Sequence, residues 1–81
     1  MIFTERRFIE LHMAIATIVR AKNPETYTLT DRSNRKFARQ IWTRCDIKER
    51  MFLMANYMRT YAIMVSEREG LISPEEAKAS Y

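Results

Sequence analysis

Eighty-one residues with one glycine, two prolines and 47% hydrophobic residues are too apolar for a disordered chain and too poor in turn formers for a small all-β domain. The net charge is +4, but Arg32 to Arg50 hold seven cations against Asp46 and Glu49, so the basicity is local. Cys45 and His12 are the only cysteine and histidine, which excludes an intramolecular disulfide and leaves no zinc-type ligand spacing.

A core of this size supplies only about 3–5 kcal/mol unaided. With disulfides excluded and metal not expected, oligomerisation is the expected extra source of stability. A lone thiol in a methionine-rich chain fits a reducing compartment, so the expected localisation is cytoplasmic.

The expected fold class is all-α, a single domain over residues 1–81. It has three main helices, about 4–22, 31–45 and 47–69, and a short C-terminal helix at about 74–80. Thr4 is the candidate N-cap of the first, with Phe3 and Phe8 at hydrophobic-staple spacing. Phe8, Leu11, Ile15 and Ile18 form its stripe, and Ile9, Met13 and Ala16 widen it. The run over residues 8–19 is interrupted by Glu10 and His12 and is shorter than the roughly 20 residues a membrane span needs, so it reads as a buried helix of a soluble protein. Asn23, as a left-handed cap, and Pro24 should end it.

After a loop over residues 24–30, the second helix can be capped by Thr30, Asp31 or Ser33. Its expected core face is Phe37, Ala38, Ile41 and Cys45, which makes Cys45 a buried thiol rather than a reactive one. Arg32, Arg35, Lys36 and Arg39 share the opposite side, and Trp42 is expected at the border beside them.

Asp46 and Glu49 form a capping-box start for the third helix, the most regular in the chain. Ile47, Met51, Met54, Met58, Tyr61 and Val65 are spaced alternately by four and three, one stripe sustained for about six turns. Its apolar arc widens to roughly half the circumference, from Leu53, Tyr57 and Met64 round to Ala55 and Ala62. Phe52 and Ile63 fall outside that arc, close together on the polar side. Gly70 is the expected left-handed stop, with Leu71 folding back toward Val65, and Ser73-Pro74-Glu75-Glu76 opens the last helix. Short connections make antiparallel neighbours the default.

No catalytic constellation accompanies these elements. His12 has no nucleophile or carboxylate at a recognisable spacing, and phosphate loops and metalloprotease or hydrolase motifs are missing from the sequence. The expected function is therefore non-enzymatic: a small helical interaction or regulatory protein, homodimeric, that binds and modulates another macromolecule and requires no cofactor or metal. The candidate protein interface is Phe52, Ile63, Met54 and Tyr61, because two apolar residues on one outer strip of a methionine-rich helix suit an adaptable contact. The alternative is a nucleic-acid-binding regulator. Its candidate contacts are Arg32, Arg35, Lys36, Arg39, Arg44 and Lys48 for phosphates, and Trp42 for stacking. A helix-turn-helix reading is disfavoured by the lack of glycine at the turn near Cys45. No membrane partner is expected.

Overall fold

The computed structural model describes residues 4–81, so the proposed Phe3–Phe8 staple lies outside the described residues. Four helices follow in order, α1 (Glu5–Lys22), α2 (Asp31–Arg44), α3 (Ile47–Arg68) and α4 (Pro74–Ser80), with no strand among the described residues. Each helix starts where a short polar side chain satisfies a free N–H group of the first turn. Thr4 Oγ1 accepts from the Arg7 N–H at 3.2 Å, and Thr30, out of the three available caps, accepts from the Ser33 N–H at 3.1 Å. Asp46 with Glu49 and Ser73 with Glu76 both close reciprocal capping boxes.

The helix ends are less uniform. Gly70 has φ 76°, and its N–H bonds the Glu67 carbonyl while that of Leu71 bonds Ser66, the paired bonds of a Schellman ending. Leu71 itself does not fold back; it stays exposed, and Ile72 is the half-buried residue of this turn. Asn23 ends α1 differently from expectation. Its φ is −131°, outside the left-handed region, because both its backbone N–H (3.0 Å) and its side-chain amide (3.1 Å) bond the Val19 carbonyl.

α1 is the central element, packed against both α2 and α3, while α4 packs on α3. Ion pairs at its two ends fix the directions. Glu5 meets Arg39 at 3.2 Å and Arg20 meets Asp31, so α1 and α2 are antiparallel. Lys22 meets Glu67 at 2.7 Å, so α3 runs parallel to α1. All are exposed pairs that orient the helices more than they stabilise them.

Phe8 is the centre of the core, fully buried among Ala38, Trp42 and Met54, with Ile9, Ile41, Leu53 and Tyr57 closing round it. Its ring stacks on Trp42 at 5.3 Å between centroids and tilts against Tyr57 at 4.8 Å. Ala16 and Ala38, both buried, keep side-chain bulk out of the helix contacts. The result is a flat molecule, 35 × 28 × 16 Å between backbone extremes.

Two faces are turned from where periodicity puts them. On α2 the buried residues are Asn34, Ala38 and Trp42, while Phe37 is exposed and Cys45, the C-cap residue, is half-buried. The larger indole takes the interior place that Phe37 would otherwise hold. On α3 only Met54 of the six-residue stripe is buried. The half-buried side of that helix is Arg50, Leu53, Tyr57, Thr60 and Met64, which faces roughly 100° away from the centre of the stripe at about 100° per residue.

Candidate functional site: the outward face of α3

The rotation of α3 leaves its stripe at the surface. Ile47 (66% exposed), Met51, Met58 (40%) and Tyr61 are all exposed, with Ala55 and Ala62 beside them. On one flank this strip borders α1 across an open groove of about 470 Å³. Leu11, Ala14, Met58 and Tyr61 line the groove, Met54 closes its floor, and Arg7 and Glu10 stand on its rim. Beyond Ala14 and Tyr61 the depression continues past Val65 to Arg68 and Glu69. On the other flank lie Lys48, Phe52 and Arg59, with Phe52 the most exposed of the large apolar side chains described, at 74%.

The four residues assigned to a protein interface from the sequence therefore separate. Phe52 and Tyr61 are on accessible surface. Met54 is 4% exposed, because it packs into the Phe8 cluster, and so is a core residue rather than a contact residue. Ile63 is half-buried on the helix that α4 packs against, so it does not form an exposed pair with Phe52. Ile47, Met51 and Met58 belong to the α3 stripe, a candidate for partner contact as well as for the core, and all three are exposed although they are not among the four residues assigned singly. The alternation of four and three was the available signal, since it is also the spacing of a helix-pairing seam.

The basic residues lie as a looser set. Arg32, Arg35, Lys36, Arg39, Arg44 and Lys48 are all exposed. Arg39 is engaged by Glu5, and Arg35 and Arg39 border a shallow depression shared with Glu5, Arg6 and Glu10, so carboxylates interrupt the positive surface. Trp42 does not join them. It is 4% exposed, stacked on Phe8, and its outer side is covered by Arg50, whose guanidinium sits 4.8 Å from the ring centroid and whose Nε donates to the Trp42 carbonyl at 3.1 Å. A base has no open indole face to stack on, which removes Trp42 from the nucleic-acid contacts.

A second cleft, of about 360 Å³, opens between α2 and α3 above His12, with Phe37 and Leu29 at its mouth. His12 Nδ1 and the Tyr57 hydroxyl share a 3.2 Å hydrogen bond, and the rings stack. Asn34, buried nearby, donates to the Tyr27 hydroxyl at 2.6 Å and to the Thr30 carbonyl at 3.2 Å, and no buried side-chain N or O atom among the described residues lacks a partner. Burial lowers the His12 pKa from its ordinary 6.5, against a smaller opposing effect of hydrogen bonding to Asn34, and burial raises that of Tyr57. Both groups are held in their neutral forms at neutral pH.

A pH dependence follows. Below 6.5 the unfolded chain protonates His12 more readily than the folded chain does, so the folded state loses stability there. The His12 contribution is fully present above that pH and falls as the pH drops beneath it. The urea midpoint should decline as the pH falls below 6.5, and His12→Gln should flatten that decline; an unchanged slope in the variant would contradict it.

Among the described residues no group of three or more histidine, cysteine, aspartate or glutamate side chains could hold a metal ion, and no helix is long and apolar enough to cross a membrane. Comparison with protein-family models, with curated proteins and with solved structures returns no match for this chain.

Proposed function

We propose that this chain is a non-catalytic helical module that binds and modulates another macromolecule, and that the outward face of α3 is where a protein partner docks. The observation that carries this reading is the run of Ile47, Met51, Met58 and Phe52, all exposed on one helix of a domain with very little core to spare. Scattered apolar residues on a surface are ordinary, but a contiguous strip bordered by a groove marks an interaction site. Methionines at its centre adapt to a partner's shape. The involvement of the one histidine in packing against Tyr57 and Phe8 supports a structural rather than a catalytic role for it. The free thiol of Cys45 is compatible with a cytoplasmic setting.

A photo-activatable residue at position 58 tests this directly. Irradiation in cells should give a covalent adduct with a protein, whereas the same residue at Lys36, on the exposed side of α2, should give far less. Absence of any position-58 adduct would contradict the reading.

Nucleic acid is the alternative partner, favoured by Arg32, Lys36, Arg44 and Lys48, which are exposed and outside the ion pairs found among the described residues. Without Trp42, affinity would be almost wholly electrostatic. Binding to duplex DNA should then weaken with salt, and replacing Arg32 and Lys36 by alanine should reduce the slope of log K against log salt by about 2. No measurable binding at low salt would eliminate this alternative.

A further inference from the structure

We infer that the occupant of the α3 face is a second copy of this chain, its α3 laid antiparallel on the first about a two-fold axis near Met58. This rests on the reading of that face as a protein-docking surface and names its partner.

Three observations select a second copy. The first is area. A compact chain of 9.7 kDa should expose about 5,100 Å², whereas this one exposes 6165 Å². The excess, about 1,000 Å² over the whole flat molecule, leaves room for an interface of the roughly 800 Å² that each partner contributes to a stable pair.

The second is the shape of the face. Ile47, Met51, Ala55, Met58 and Ala62 occupy one arc of about 80° on the exposed side of α3. An axis at Met58 sets the two Met58 side chains against each other and Met51 of each copy toward Val65 of the other, and the small Ala55 and Ala62 between them let the two helices approach closely. With the short dimension of the molecule only 16 Å, two copies joined here would place α1 and α3 of each in a four-helix layer and cover the apolar strip of both.

The third is charge. Lys48 stands beside the strip in the first turn of α3, and Glu69 caps its far end; both are exposed, and neither belongs to an ion pair found among the described residues. An antiparallel pair of α3 helices brings Lys48 of each copy to Glu69 of the other, two equivalent contacts related by the symmetry axis. A parallel pair would set lysine against lysine and glutamate against glutamate. An anionic ligand finds no uniformly positive surface here, since Glu10 and Glu69 stand with Arg7 and Arg68 at the ends of the adjoining groove.

Sedimentation velocity of the full chain over about 1–200 µM should show a species of twice the monomer mass. Met58→Glu should shift it to monomer, raising the dissociation constant at least about tenfold, with helical circular dichroism unchanged. Met51→Glu, at a more exposed position, makes the same test if Met58→Glu fails to fold. Lys48→Glu and Glu69→Lys should each weaken the dimer, and the double variant should restore it. A wild-type chain that stays monomeric at the highest concentration overturns the inference, as does a double variant weaker than either single one. The photo-adduct at position 58 separates the two claims. An adduct of twice the chain mass supports the second copy. An adduct of any other mass overturns it and leaves the docking surface standing, and no adduct overturns both.

Discussion

Phe8→Ala is expected to leave the chain largely unfolded at 25 °C. Phe8 is fully buried, and its ring touches aromatic residues of both flanking helices, Trp42 on α2 and Tyr57 on α3. Truncating a buried phenylalanine removes about 3–5 kcal/mol through lost transfer energy and the cavity left behind. A core of this size supplies about the same amount in total, so no surplus remains. Far-UV circular dichroism should fall toward the unfolded value and the cooperative urea transition should disappear. A variant that keeps a transition near the wild-type midpoint would show that the core lies elsewhere.

The next largest expected effect is a contrast between two methionines one helical turn apart. Met54→Ala should destabilise by about 2–5 kcal/mol, because Met54 is packed against the Phe8 cluster. Met58→Ala should cost the dilute monomer less, about 1 kcal/mol, because its side chain is 40% exposed along the groove. Urea midpoints measured at low protein concentration keep the association term out of the comparison, since a self-associating fold gains apparent stability with concentration. Equal losses at the two positions would mean that the whole stripe faces the interior.

That contrast also marks the boundary of what the residues alone disclose. Helix starts were legible because a cap is a local bargain between one side chain and the N–H groups two or three residues on. Asp46 with Glu49, Ser73 with Glu76 and Gly70 each carry their own instruction, and the four helices fall close to their expected bounds. The direction in which each helix turns its face is not local. Periodicity defines a stripe but not what the stripe meets, and α1 is apolar round so much of its surface that α2 and α3 can dock on it at several rotations. On α2 the burial of Trp42 decided the rotation and exposed Phe37; on α3 the contact of Leu53 and Tyr57 with the Phe8 cluster decided it and exposed Met51 and Met58. The polar bonds of Asn34 with Tyr27, and of His12 with Tyr57, were equally out of reach, since the second joins residues 45 apart in the chain. The candidate site was thus half legible: Phe52, Tyr61 and the six exposed cations by position, and Ile47, Met51 and Met58 as members of a stripe whose exposed part only the fold distinguishes from its buried Met54.

The central claim is that α3 divides its apolar residues between a core on one side and a docking surface on the other. Methionine oxidation read residue by residue by mass spectrometry, at low and at high protein concentration, tests it most directly. Met51 and Met58 should oxidise quickly in dilute protein and become protected as concentration rises, while Met54 stays slow throughout. Oxidation of Met54 as fast as that of Met58 would contradict it, and no concentration-dependent protection at Met51 and Met58 would contradict a second copy as the occupant of that surface.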